Sequence, residues 1–191
     1  IIPVLNRFCN QDIINKAFEN ASKILVISED ARTLILKQFP SLLKKIIVLG
    51  WSMNCIQFKS LKFAEKEKII TYMPRKNIDH IRLVLNTTIN RIPKDWKFVP
   101  VKNLTSQELL KLLQKSSIFL SFGSFEGLPA PPVEAALAGN IVVGYHGNGG
   151  KEYWEKPNFY DISPCDISSF SDKILSITKL IDENNGYHDE L

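Results

Sequence analysis

Short apolar runs alternate with amphipathic stretches of helical period along most of the chain. The first run, KILVIS at 23–28, is rich in β-branched residues and predicts a β-strand. The next segment, EDARTLILKQF at 29–39, has helical spacing and stops before Pro40, so it predicts a helix. A second strand is predicted for KIIVLG at 45–50, whereas residues 51–66 show no clean period and predict a linker.

The same alternation continues through the rest of the chain. Strands are predicted at 68–73, 96–101, 117–122, 140–145 and 158–162, and helices at 77–90, at 106–115, from about Pro131, around 151–154 and at 166–183. Regular alternation of this kind implies right-handed crossovers and a parallel sheet with helices on both faces. The predicted fold class is therefore a doubly wound α/β protein.

The composition narrows the classes of function. With 191 residues, 45% of them apolar and 23% charged, the chain is typical of a folded protein. Its 24 basic and 20 acidic residues are interspersed and give a net charge of +4, which argues against nucleic-acid binding but suits an anionic ligand or membrane face. No apolar stretch approaches the roughly 20 residues that span a bilayer. The opening IIPVLNRF lacks a methionine, so we expect a fragment of a longer protein.

The cysteines predict neither a disulfide framework nor a zinc site. Cys9, Cys55 and Cys165 are far apart, odd in number and accompanied by only three histidines. Free cysteines in a reducing compartment are the simplest interpretation.

Ligands of doubly wound sheets bind beyond the carboxyl ends of the strands. The predicted strands place four loops at that edge: 74–77, 101–105, 123–131 and 146–151. In the first loop, Arg75 and Lys76 would neutralise a diphosphate, with a solvated cation pair as the alternative. In the second, the backbone near Val101 and Lys102 is free to contact a flat base.

A helix start follows the third loop. Pro131 and Pro132 suit a first helical turn, and Gly139 suits the end of the same helix. Free N–H groups around Val133 and Glu134, with the helix dipole behind them, predict an anion site that fits a diphosphate.

Two glutamates accompany this helix start. We expect Glu126 in the loop and Glu134 in the first helical turn, both facing the mouth of the site. Ionised carboxylates accept hydrogen bonds from sugar hydroxyls. Considered alone, the pair fits a structural interpretation better, in which Glu134 complements the helix dipole and Glu126 is solvated.

The fourth loop contains the sequence HGNGG at 146–150. Its glycines, Gly149 among them, would let backbone N–H groups approach a ligand closely, although a glycine-rich turn alone is a weak signal. His146 is a weaker candidate in the same loop, and we assign no role to His80 or His188.

The segment FEGLPAPPVEAALAGNIVVGYHGNGGKEYW resembles the donor-site signature of retaining glycosyltransferases of the GT-B class, in particular the large family four. In that family a glutamate, seven residues and a second glutamate precede a small-residue helix, a valine-rich strand and a glycine pair. Upstream, ASKILVISEDARTLILKQFP and KIIVLGWSMNCIQF are similar to the end of the family's N-terminal domain and its crossover linker.

The resemblance implies two Rossmann-like domains facing a cleft, the C-terminal one binding a nucleotide-sugar. Arg75 and Lys76 would then lie on the donor diphosphate, Glu126 near the transferred sugar and Glu134 on the ribose hydroxyls. The backbone from Gly127 to Pro131 would border the sugar and phosphates, and the binding residues expected there are Gly127, Leu128 and Pro129.

The resemblance also implies a domain division and an activity. Residues 1–50 would form the end of the acceptor domain and its crossover, residues 51–66 would be the linker, and residues 67–191 would form the nucleotide-sugar-binding domain. The expected reaction is sugar transfer from a nucleoside diphosphate sugar to a hydroxyl of a glycan or lipid-linked acceptor, in polysaccharide synthesis, with no metal and no further cofactor.

A cytoplasmic location follows from the same reading, with peripheral membrane association left open. Two alternatives to transfer activity remain. One is a nucleotide-binding module that transfers no sugar, and the other is a different GT-B enzyme, such as a nucleotide-sugar epimerase or a phosphorylase.

Overall fold

The computed structural model describes residues 10–50, 52–53, 58 and 65–183, which form two parallel sheets and their helices. The smaller sheet pairs two three-residue strands in parallel, with Leu25 opposite Ile47. Its elements, in chain order, are α1 (Gln11–Asn20), β1 (Ile24–Val26), α2 (Glu29–Gln38), a 3-10 turn (Pro40–Leu42) and β2 (Ile46–Val48).

The larger sheet has five parallel strands in the order β4-β3-β5-β6-β7. Its elements are β3 (Glu67–Tyr72), α3 (Ile78–Thr88), β4 (Lys97–Pro100), α4 (Ser106–Lys115), β5 (Ser116–Glu126), α5 (Ala130–Leu137), β6 (Ile141–Asn148), a 3-10 turn (Gly149–Glu152), β7 (Phe159–Asp161) and α6 (Ile167–Glu183). The predicted parallel α/β class is confirmed.

Most predicted elements lie within a few residues of the observed ones, and four observed elements differ from the prediction. Helix α1 was not predicted, since its period was not recognised in the sequence. The predicted short helix at 151–154 is a 3-10 turn that begins at Gly149. Strands β5 and β6 run past the predicted ends, to Glu126 and Asn148. Most of the predicted linker at 51–66 lies outside the described residues, and the domain division stays a prediction.

The core lies on both faces of the larger sheet, as expected for a parallel sheet covered by helices. On one face α3 and α6 pack against β5 and β6, and Phe122 of β5 stacks on Phe170 of α6 with ring centroids 4.8 Å apart. On the other face α4 and α5 cover Phe119 and Val142. Strand β5 is central, so its residues 116–123 are all buried.

At the amino-terminal edge of this sheet, Lys66 joins the ends of two helices. Its Nζ donates to the carbonyls of Gln114, Ser116 and Ala138 at 2.8 to 2.9 Å, and to that of Leu113 at 3.5 Å. The last carbonyls of a helix lack intrahelical partners and carry the negative end of the dipole, so a cation is favoured there. Burial nevertheless lowers the pKa of Lys66 to about 8.

We expect Lys66→Met to lower the free energy of unfolding at pH 7 by about 1–3 kcal/mol, because it leaves buried carbonyls without a donor. Chemical denaturation measures this, with the exposed Lys179→Met as the control. Since the pKa of Lys66 is lower in the folded chain, the unfolded chain holds its proton more tightly above pH 8. Wild type should therefore gain stability over the variant as pH rises from about 8 towards 10.5. An unchanged difference would contradict this.

Candidate functional site

Asn77 fixes the basic loop that follows β3. Its backbone has the left-handed conformation, with φ 45° and ψ 57°, which asparagine tolerates better than most residues. Its side-chain Nδ2 donates to the carbonyl of Phe122 at 2.5 Å. The loop carrying Arg75 and Lys76 is thereby attached to the carboxyl-terminal half of the central strand, β5.

The structure brings Lys76 and Glu126 together. Lys76 Nζ lies 3.1 Å from Glu126 Oε1, and their side chains are 36% and 24% exposed. The Glu126 carboxylate lies directly over Gly123, where a Cβ would overlap Oε1. Arg75, the residue before Lys76, is exposed. The site therefore holds one carboxylate and two cations at the same edge of the sheet.

A cleft of about 620 Å³ opens between the loops that follow β3 and β4. Met73, Ile78, Val101, Leu104 and Leu109 supply apolar lining, while Arg75 and Lys102 add positive charge. An apolar cleft with cations at its margin can hold a flat base together with a phosphate. Val101 and Lys102, predicted for the base, both line it.

The turn after β6 packs tightly on the loop after β5. A Cβ on Gly149 would overlap the carbonyl of Gly127, so the two backbones are in direct contact. The hydroxyl of Tyr153 donates to the carbonyl of Pro129 at 2.6 Å. Burial raises the pKa of Tyr153, and the charge of Glu126 raises it further, so the hydroxyl stays protonated and can donate.

The prediction that Glu126 lies in a loop is wrong. Strand β5 continues to Glu126, which pairs with Asn148 of β6 after a shift of register between Gly123 and Glu126. The predicted loop at 146–151 is likewise strand up to Asn148. Pairing between β5 and β6 extends both strands past their apolar runs. The periodicity of a single segment does not reveal such pairing.

The predicted anion site at the start of α5 is also corrected. The helix begins at Ala130, so the N–H of Val133 is the first to enter the intrahelical pattern, and Pro131 and Pro132 have no N–H to offer. Glu134 lies in the second turn and not in the first. It is half-buried, and burial raises its pKa.

The other candidates have structural contacts. His80 Nδ1 lies 3.1 Å from the hydroxyl of Tyr145, and His146 Nδ1 accepts from the N–H of Asn148 at 2.9 Å. Cys165 is free and exposed. The remaining cysteines and histidine, Cys9, Cys55 and His188, lie outside the described residues.

Sequence reasoning missed Asn77, Gly123 and Tyr153. An asparagine between a basic pair and a helix is a signal for a left-handed residue, and it could have identified Asn77. Nothing local marks Tyr153, whose partner Pro129 is 24 residues away.

Over the described parts of the chain, no three His, Cys, Asp or Glu side chains converge as a metal site would require. None of the helices there is both long and apolar enough to cross a bilayer.

Solved structures that share this fold include those of TarM and of a glycosyltransferase from Rickettsia africae ESF-5. TarM matches with a TM-score of 0.73 at 19% identity, over 95% of this chain and 42% of TarM. The Rickettsia glycosyltransferase matches with a TM-score of 0.63 at 14% identity, over 86% of this chain and 55% of the enzyme. The fold, a parallel five-stranded sheet flanked by helices, matches a Rossmann-like half of the GT-B fold. The chain spans about half the length of these proteins or less, and no family model and no curated protein matches it.

The contact between Gly149 and Gly127 predicts a strong effect of one methyl group. Gly149→Ala should lower the free energy of unfolding by about 1–3 kcal/mol, because backbone must move to admit the Cβ. Gly50→Ala is the matched control, since a Cβ there meets nothing within 4 Å. Thermal or urea denaturation compares the two, and equal stabilities would show that the turn is not held as described.

Proposed function

We propose that this chain is the donor-binding part of a retaining glycosyltransferase. It would transfer a sugar from a nucleoside diphosphate sugar to a hydroxyl of a glycan or lipid-linked acceptor, in the synthesis of a polysaccharide. The observation that carries the proposal is that an apolar cleft lined by Arg75 and Lys102 opens at the same carboxyl edge of one parallel sheet as the Lys76–Glu126 pair. The retaining stereochemistry and the assignment to family four rest on the sequence resemblance alone.

The cations would stabilise the leaving group. As the bond between the sugar carbon and the phosphate oxygen breaks, the diphosphate takes the electron pair and gains negative charge. Arg75 and Lys76 would stabilise that charge, and arginine can bind two phosphate oxygens at once. The proposal is supported by the position of Arg75 in the cleft lining and by the contact of Lys76 with Glu126. This contribution acts in the transition state and needs no metal.

Glu126 would have two partners in turn. In the structure it pairs with Lys76. A bound diphosphate would compete for the lysine, and the freed carboxylate would accept hydrogen bonds from the sugar hydroxyls. Its carboxylate lies over Gly123 at the end of the central strand. From there it would reach both Lys76 and the sugar hydroxyls.

Glu134, Gly127, Leu128, Pro129 and Gly149 complete the proposed pocket. Glu134 would accept hydrogen bonds from the ribose. The backbone at 127–129 would border the sugar, and its contact with Gly149 would keep it in place.

Binding measurements test the proposal. Calorimetry with UDP, GDP and dTDP should show one nucleoside diphosphate bound. Arg75→Ala and Lys76→Ala should each weaken it about 10- to 100-fold, since hydrogen bonds to charged groups contribute about 1.5–3 kcal/mol. Lys94→Ala removes an exposed cation before β4, at the opposite edge of the sheet, and should change nothing. Equal affinity in all variants would remove the assignment.

Turnover separates the enzyme from the alternatives. Release of diphosphate from one sugar donor by the full-length protein supports transfer. Binding without release, with acceptor present, favours the nucleotide-binding module, and a changed sugar on the intact donor favours an epimerase.

Ionised Glu134 should lower the free energy of unfolding while it contributes to nucleotide binding. Because its pKa is raised in the folded chain, the folded form holds the proton more tightly, and ionisation costs stability as pH rises past 4.5. Glu134→Gln should therefore be more stable than wild type at pH 7, with the gain disappearing in acid, and should bind the nucleotide more weakly. Denaturation at several pH values and calorimetry measure both. A variant less stable at pH 7 would contradict the stated cost.

A further inference from the structure

A carboxylate from the larger sheet caps a helix of the smaller one. Glu152 Oε1 accepts from the backbone N–H of Glu29 at 2.7 Å and lies 3.4 Å from that of Asp30. These residues are 123 and 122 positions apart in the sequence. The contact therefore joins two parts of the chain that local structure does not connect.

The cap supplements one that α2 already has. The side chain of Ser28, which is fully buried, accepts from the N–H of Ala31 at 3.1 Å. Ser28 and Glu152 together satisfy three of the donors that the first turn of a helix leaves free.

The acidic residues at the start of α2 oppose the approach of the Glu152 carboxylate. Glu29 and Asp30 are themselves acidic, and a third carboxylate is repelled unless it gains hydrogen bonds and the helix dipole in return. Arg32 Nη1, 3.1 Å from Glu29 Oε2, offsets part of that repulsion. The hydrogen bonds from the amides of Glu29 and Asp30 offset the remaining repulsion of Glu152.

The turn that carries Glu152 is the one that packs on the loop after β5. Gly149 touches the Gly127 carbonyl, and Tyr153 donates to the Pro129 carbonyl. A Cβ on Gly127 would in turn meet Ile27, the residue that follows β1, at 3.5 Å. A single chain of contacts thus runs from the start of α2 through Glu152 to residues 127–129.

We infer that Glu152 is a positioning residue that fastens the start of α2 to the turn at 149–152. It thereby fixes the β1–α2 segment against the loop at 127–129. We call this contact between Glu152 and the amides of Glu29 and Asp30 the clasp, and its evidence is the two hydrogen bonds. Its effect on binding of a nucleotide-sugar rests on the proposed function, because residues 127–129 border a sugar only if that function is correct.

Amide hydrogen exchange tests the clasp without any ligand. In Glu152→Ala of the full-length protein, exchange at the amides of Glu29 and Asp30 should rise about tenfold, as expected when a hydrogen bond of about 1.4 kcal/mol is lost. Glu152→Gln keeps an oxygen acceptor and should largely retain the protection. Glu155→Ala removes an exposed glutamate three residues away and should leave exchange unchanged. Unchanged exchange in Glu152→Ala, with its fold intact by circular dichroism, overturns the clasp.

Nucleotide-sugar affinity tests the positioning. If wild type binds a donor, Glu152→Ala should weaken it severalfold and Glu152→Gln should restore it, although the side chain touches no part of the cleft. Faster exchange with unchanged affinity would overturn positioning while leaving the clasp. If wild type binds none of the nucleotides, the proposed function fails, and exchange still decides the clasp.

Discussion

The parallel pairing of β5 with β6 is the constraint on which the rest of this structure depends. It runs from Ile118 opposite Ile141 to Glu126 opposite Asn148, beyond the buried core and up to the edge where ligands bind. Because the pairing continues that far, Glu126 lies on a strand and the turn at 149–152 lies against the loop at 127–129. Parallel strands also require crossovers, so the helices that bury both faces follow from the same arrangement.

Close backbone approach is the main requirement of this arrangement. At Gly144 a Cβ would overlap the Ser121 carbonyl, and at Gly149 it would overlap that of Gly127. Glycine is needed at both positions because β5 and its neighbours leave no room for a side chain. The half-buried Glu134 of α5 adds a polar cost, since its carboxylate is partly removed from water. A region that retains such costs is typical of a functional site.

The kind and order of most elements could be predicted, because apolar period reports directly which face of a segment is buried. The coincidence of Arg75, Lys76 and Glu126 at one edge was also predictable, since the carboxyl ends of parallel strands meet there. The ends of the strands could not be predicted, because Glu126 belongs to β5 through its pairing with Asn148 of β6. The contacts of Lys66, Glu152 and Tyr153 escaped for the same reason. Each joins residues at least 24 positions apart, and no local pattern encodes them.

The central claim is that a nucleotide-sugar binds at the carboxyl edge of the larger sheet. Amide NMR of isotopically labelled protein, titrated with UDP-, GDP- and dTDP-sugars, tests it most directly. With at least one donor, we expect saturable shifts at the amides of Lys76, Val101, Glu126 and Glu134, and none at Lys94 on the opposite edge. Shifts confined to the opposite edge, or no shift with any donor, would contradict it.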